Sequence, residues 1–297
     1  MSIFAPFTFI APEEIAAPAP PAASYLNDVT SSLAMYSVVR KLDGEYTGSA
    51  YRVRRTPDNL EQDIGFSGDL VDTASLSSFC GANDGFITTW YDQSGNGHNL
   101  TQTTAVLQPF VYETGSVATI SSSVDIPAIN FQNYSSAHYL VNTSFINTSK
   151  AEFHSVMNIL QTDIGGNAIF IGNPDNGWSY GGYQVPSGDT SIIKSDGGRV
   201  AQLTIGNNTY ALTNVFYNVN GGTNASFNFT NGSSATTTLV TGNFSAATFG
   251  KIWIGSATFD PTGFRQWANM SEIAFYWDTA GERSNVRDNI NNYYSIY

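Results

Sequence analysis

From Tyr25 onward the chain is a succession of short runs rich in β-branched and aromatic residues, most of them bounded by Gly, Asn, Asp or Pro. Runs of this kind predict strands: AMYSVVRKL, SAYRVRRT, GFITTWYDQ, PAINFQN, EFHSVMNIL, NAIFIGNP, AQLTIGNN, TYALTNVFYNVNGG, ASFNFTNG, GKIWIGSAT and SEIAFYW. Asn220-Gly221 and Asn231-Gly232 carry favoured hairpin chemistry. The period changes at the end of the chain. In DTAGERSNVRDNINNYYSIY, Thr279 and Glu282 have capping-box spacing, and Val286, Ile290 and Tyr293 or Tyr294 share one stripe, which predicts a closing helix. A shorter helix is predicted at DTASLSSFC, from Asp72. No internal repeat is evident. The pattern implies an all-β fold over 25–297: an antiparallel β-sandwich with a C-terminal helix packed against it.

Residues 1–24 break this pattern. Five of the eleven prolines fall here among alanines, behind an apolar tip of Phe4, Phe7, Phe9 and Ile10. A Pro-Ala stretch is an extended, stiff spacer, and an exposed apolar tip needs a surface to bury it. The segment is therefore expected to be an anchoring arm that docks on a partner.

Composition narrows the partners. Charged residues make up 12% of the chain, about half the usual share. Solubility must then rest on Asn, Ser, Thr and Gly. A formal net charge of -12 argues against a nucleic-acid partner. Five of the twelve basic residues (Arg40, Lys41, Arg52, Arg54, Arg55) cluster between 40 and 55, where AYRVRR reads as a solvated strand face with local ion pairs. No residue from Val200 to Gly250 is charged, so that stretch is either a Thr/Asn-rich surface or an interface in a homo-oligomer. The single cysteine, Cys80, excludes an intrachain disulfide. His98, His138 and His154 lack zinc spacing. No cofactor is expected, and no EF-hand-like spacing supports calcium. No apolar run approaches the ~20 residues of a membrane span. The start of the chain lacks the features of a signal peptide, so synthesis in a cytoplasm is expected. The Asn-x-Ser/Thr sequons, as at Asn142, Asn224 and Asn243, are expected by chance in such a composition.

One stretch looks chemically equipped: TTWYDQSGNGHNL, residues 88–100, holds Trp90, Tyr91, Asp92, Ser94 and His98. It has neither a nucleophile elbow nor triad spacing. Asp92 followed by QSGNG reads as a turn whose carboxylate caps loop N–H groups. Trp90 is expected in the core, and His98 is expected to satisfy the loop.

The runs YSVVRKLDGEYTGSAYRVRRTPDNLEQDIGF, LVDTASLSSFCGANDGFITTWYDQSGNGHNLTQ and GSATF…MSEIAFYW resemble the arabinofuranosidase-B-type catalytic domain, a concanavalin-like (laminin-G-like) jelly roll. The likeness is strongest over Met35–Gln102 and weaker over Pro127–Tyr297. Similar domains also occur as non-enzymatic modules of phage structural proteins, so activity must be judged at the site. A retaining glycosidase needs two carboxyl groups about 5 to 5.5 Å apart. The resemblance places Asp175, in IFIGNPDNGW, at the position of the nucleophilic Glu. It places Ala257, in WIGSATFD, where the acid/base Asp belongs, with Asp260 three residues on. The paired cysteines of the enzymes' sugar pocket are absent. Sugar contacts without chemistry have candidates in NPDNGWSYGGY (Asp175, Asn176, Trp178, Tyr180, Tyr183) and in FDPTGFRQW (Asp260, Arg265, Trp267).

These readings lead to an expected virion structural protein (head fibre, capsid decoration or tail fibre). Its arm would hold other virion proteins, and its sandwich would be non-catalytic and adhere to host-surface glycans. The alternatives are a lectin-like adhesin module of a non-viral surface protein and a glycoside hydrolase of arabinofuranosidase type, the chemistry expected if the chain is an enzyme.

Overall fold

The structure, a computed structural model, describes residues 25–121, 123–131, 138–145, 150–159, 167–173, 178–183, 191–195, 198–203, 209–218, 225–230, 238–239, 250–255, 268–277 and 282–296. In the strands between 167 and 210, between 215 and 239, and at 150–151 and 159, only the backbone is described. The arm 1–24, with Phe4, Phe7, Phe9 and Ile10, lies outside the described residues.

All the strand pairings are antiparallel, and the sheet forks at one strand. We label β1 Ala34–Ser37, β2 Tyr51–Arg55, β3 Gly85–Trp90, β4 Phe110–Glu113, β5 Ile129–Asn130, β6 Lys150–Ile159, β7 Thr209–Asn218, β8 Ala225–Thr230 and β9 Ala268–Tyr276. One edge of β3 lies along β2. The other edge is shared: Gly85 and Phe86 pair with Tyr112 and Phe110 of β4, while Thr89 and Trp90 pair with Thr101 and Leu100. From β4 one arm of the sheet runs through β5 to β9, which carries β1 on the same edge and β6 on the other, and on to β7 and β8. The second arm runs from Leu100–Thr101 through Leu140–Asn142, Ile252–Ile254, Asn167–Asn173, Trp178–Tyr183, Ser191–Ser195 and Gly198–Leu203.

The two arms close on one core. Tyr36 of β1 meets Trp90 of β3 with ring centroids 5.5 Å apart, and Phe275 of β9 packs on Phe153 of β6 at 5.7 Å and on Phe145 at 5.3 Å. Trp90, Tyr36 and Phe153 are fully buried. The expected β-sandwich is thus present, and Trp90 is core as expected.

Alternation decides which side chains face in. On the second arm, Ile64, Tyr51, Trp90 and Leu100 pair in one register row, Leu140 and Ile254 pair with each other on the same face, and all six are buried. The next row, Asp63, Arg52, Thr89, Thr101, Val141 and Trp253, is half-buried to exposed. This is the period-2 pattern of a sheet with one wet face. β9 departs from it, since all nine of its residues are buried. Its outer side is covered by the C-terminal helix, which explains why SEIAFYW reads as a nearly continuous apolar run.

Two helices carry the argument further. α1, Thr73–Cys80, is the predicted short helix; Asp72 is its N-cap and accepts from Ser75 N at 2.9 Å. In α2, Arg283–Tyr294, Val286, Ile290 and Tyr294 are buried, matching the predicted stripe. The predicted start is different: Glu282 is itself the N-cap, without a side-chain cap bond, and Thr279 lies outside the described residues.

Beneath α2 the outer face of the first arm is polar and dry. Arg40 makes a two-pronged contact with Glu272 of β9, at 3.0 and 2.9 Å, and Tyr294 donates to the same carboxylate at 2.8 Å. Arg283 grips Glu152 of β6 at 2.8 and 3.0 Å, and Asn214 of β7 donates to Glu152 at 2.7 Å. The basic run at 40–55 is therefore only partly a solvated face. Arg52 pairs with Asp63 and Arg55 with Asp58 at the surface, but Arg40 and Arg54 are buried, because each meets fixed acceptors there.

Candidate functional site

In the TTWYDQSGNGHNL stretch, Trp90 ends β3 and the chain turns at once. Asp92, 4% exposed, gathers the turn: Oδ1 accepts from Met35 N and Ser94 N, both at 2.9 Å, and Oδ2 accepts from His98 N at 3.0 Å and the Ser94 hydroxyl at 2.8 Å. Buried Gln93 continues the link, accepting from Leu42 N at 2.8 Å and taking a backbone bond from Gln93 N to Met35 O at 2.7 Å. Gly95 and Gly97 sit at φ +80° and +79°, where a side chain would strain the backbone. The Tyr36 hydroxyl donates to the His98 carbonyl, and the His98 ring packs on Phe145. The side chains of Asp92, Gln93, Ser94 and Asn96 all bond to the surrounding scaffold. Asp92 caps its own loop N–H groups, as expected, and also ties β1 to the end of β3.

The buried carboxylates Glu152 and Glu272 are not a general acid/base pair. Each is locked to an arginine beneath α2, and they sit on neighbouring strands four positions out of register, since Glu152 pairs with Tyr276 and Glu272 with Val156. Burial keeps the His154 imidazole below its ordinary pKa, against the pull of Glu152. Among the described residues, no group of three or more His, Cys, Asp or Glu could hold a metal ion. No helix among them is long and apolar enough to cross a membrane.

The segments that the resemblance assigns to the two carboxyl positions follow, in sequence, two strands of the second arm. The strands Asn167–Asn173 and Ile252–Ile254 are hydrogen-bonded neighbours, with Ile171 opposite Ile254 and Gly172 opposite Trp253. The chain leaves Asn173 toward Asp175 and Asn176, and returns at Trp178, which pairs with Asn173. It leaves Ile254 through Gly255 toward Ala257, Asp260 and Trp267. Because the pair is antiparallel, these two exits lie at opposite ends of it. Asp175, Asn176, Ala257, Asp260, Arg265 and Trp267 lie outside the described residues. Trp178 and Tyr180 occupy alternate positions of one strand, opposite Asn173 and Ile171, and therefore share a face.

Two aromatic residues were not singled out by the sequence reading. On the wet face of the second arm, the rings of Tyr139 and Trp253 stack, with centroids 4.4 Å apart and planes at 22°. A signal was present in the sequence: in IWI the isoleucines alternate inward, which puts Trp253 outward. At the far end of the same face, Arg52 forks onto Asp63 at 2.8 and 2.7 Å, and the Tyr91 hydroxyl donates to Asp63 at 2.8 Å. The Arg52 guanidinium holds the Asp63 carboxyl below the usual range, and burial with the Asp63 contact pushes Tyr91 up to about 12.

Comparison with known proteins adds the following. Residues 21–141 match the family model described as alpha-L-arabinofuranosidase B, catalytic. Over 80 residues, 26% of this chain, it is 40% identical to the alpha-L-arabinofuranosidase B of Aspergillus oryzae and 36% identical to that of Emericella nidulans, a segment covering 16% of each relative. In fold it is similar to a GH54 α-L-arabinofuranosidase soaked with a cyclic sulfate inhibitor, with a TM-score of 0.68 at 15% identity over 90% of this chain. It is also similar to an arabinofuranosidase complexed with arabinofuranosyl-α-1,2-xylobiose, with a TM-score of 0.67 at 15% identity over 91% of this chain. The chain spans 65% of each of those solved chains. These findings overturn the expected virion role and virion location, whether as head fibre, capsid decoration or tail fibre. The sequence matches are to fungal proteins named as arabinofuranosidases, and the matching family model is a catalytic domain. The chemistry expected if the chain is an enzyme is the chemistry these relatives are named for.

Proposed function

We propose that the chain is a glycoside hydrolase of arabinofuranosidase type, acting on α-L-arabinofuranosyl linkages. The observation that carries this reading is the match of residues 21–141 to the arabinofuranosidase B catalytic model. In this reading Asp175 attacks the anomeric carbon. A second carboxyl group must protonate the leaving oxygen and later activate water. Ala257 has no carboxyl group, so Asp260 takes that part, which requires the segment after Gly255 to fold back toward Asp175. Asp175 is one methylene shorter than a glutamate, and a nucleophile set back by that much lowers the rate steeply.

The test is release of nitrophenol from 4-nitrophenyl α-L-arabinofuranoside by the full chain. Turnover that is abolished in Asp175→Ala and reduced at least 100-fold in Asp260→Ala supports the proposal. Binding of the arabinoside without turnover, by calorimetry, removes the hydrolytic half of it. Absence of both removes the whole reading.

A further inference from the structure

We propose that the wet face of the second arm is a surface that binds a neutral polysaccharide chain, separate from the Asp175 segment. The row Arg52, Thr89, Thr101, Val141, Trp253 and Gly172 crosses six adjacent strands. At the usual interstrand spacing it is about 24 Å long, enough for more than one sugar ring. Its described side chains from Arg52 to Trp253 are all half-buried. Each has an inward-facing, buried neighbour in sequence, so the row is rigidly backed.

The chemistry along the row selects the ligand. Trp253 is stacked on one side by Tyr139, its diagonal neighbour. On the strand beyond, its register partner is Gly172, which has no side chain to cover the indole. An indole stacked on one side by a tyrosine, with a glycine as its register partner on the next strand, is a platform for the C–H face of a sugar. Thr89 and Thr101 add hydroxyls that both donate and accept. With Asp63 as its terminal partner, the row has one cation and one carboxylate, and they are bonded to each other, with the Tyr91 hydroxyl on the same carboxylate. The row itself therefore offers no net charge to a nucleic acid or an acidic polymer. It lacks the broad apolar core of a protein interface. Aromatic rings, hydroxyls and a neutralised ion pair fit an uncharged polymer rich in hydroxyl groups. The strand of Trp253 continues into the Asp260 segment, and the strand of Gly172 into the Asp175 segment. The choice of arabinose-bearing probes rests on the proposed function; the row's neutral chemistry does not.

The test is affinity electrophoresis of the full chain through native gels containing arabinoxylan, linear arabinan or polygalacturonate, with light scattering in parallel. Retardation by a neutral polymer is expected. Trp253→Ala and Thr101→Glu should each weaken it at least fivefold, with hydrolysis of 4-nitrophenyl α-L-arabinofuranoside within twofold of the parent. If Trp253→Ala fails to fold, Thr101→Glu decides. No retardation by either neutral polymer, or retardation unchanged by the substitutions, overturns the proposal. So does stronger retardation by polygalacturonate, or a dimer that Trp253→Ala dissociates. Parallel loss of small-substrate turnover in Trp253→Ala also overturns it, by placing the indole at the reacting sugar. A parent chain that binds polymer without any hydrolysis would sink the proposed function and leave this surface standing.

Discussion

Replacing Asp92 separates a scaffold motif from a catalytic one. Its carboxylate accepts from three backbone N–H groups and one hydroxyl at 2.8 to 3.0 Å, and the residue is 4% exposed. In Asp92→Ala the Met35 N–H is left buried without its acceptor, which costs about 1–3 kcal/mol. The Ser94 and His98 N–H groups are half-buried and regain some water, so each loses the smaller net value of a charge-assisted bond, about 1–2 kcal/mol. The total expected destabilisation is about 3–7 kcal/mol. Asp92→Asn is a finer probe. Its amide oxygen can still serve Met35 N and Ser94 N, and the Ser94 hydroxyl can rotate to accept, but the amide nitrogen then faces the His98 N–H, donor against donor. One mismatch should cost about 1–2 kcal/mol. Urea unfolding of the parent and both variants, compared at constant slope, reads these differences. The scaffold argument is refuted if Asp92→Ala lies within about 1 kcal/mol of the parent. It is equally refuted if Asp92→Asn keeps parental stability and loses turnover 100-fold.

Two further outcomes follow from buried charges. Arg40→Ala strands Glu272 beneath α2 and should destabilise by about 3–5 kcal/mol, whereas Arg40→Met with Glu272→Leu should recover most of the loss; equal losses in both, by urea unfolding, would refute a paired buried charge. Burial pushes His138 down to about 4, so the unfolded chain takes up a proton below about pH 6.5 that the folded chain refuses. Stability should then fall between pH 6.5 and 4, by up to about 3 kcal/mol from this group, and level off below. His154 is shifted in the same direction, so His138→Gln should remove only part of that slope; an unchanged slope would show that His138 is not the group.

Local rules carried much of the fold. Strand runs with turn residues at their ends, the Asp72 cap and the Val286–Ile290–Tyr294 stripe each depend on neighbours in sequence, so they could be read without coordinates. Asp92 was readable for the same reason, since three of its four bonds go to residues within six positions. The fork at β3 was not readable. It depends on which strands meet its two halves, a matter of partners 10 to 27 residues away that no local pattern encodes. The buried arginines were misjudged in part for a related reason. Alternation in AYRVRR marks a face, but only the arrival of Glu272, Asn289 and Gln108 makes burial of Arg40 and Arg54 tolerable. The Tyr139–Trp253 stack joins residues more than a hundred positions apart in the chain.

The distribution of sequence likeness has a structural meaning. The stretch that matches the family model, 21–141, contains β1 to β5, the fork, the Asp92 turn and most of the inward row. These residues build and hold the sandwich. Asp175 and Asp260 lie beyond it, on segments reached through the strands Asn167–Asn173 and Ile252–Ile254. Strong likeness in the first stretch is what a shared scaffold requires, because close-packed interiors tolerate few changes of shape. Catalysis is a property of two carboxyl groups and their separation. It can fade through the replacement of one of them without any loss in the scaffold match. Turnover by the parent chain and its loss in Asp175→Ala therefore bear on the proposed activity more directly than any further likeness in residues 21–141.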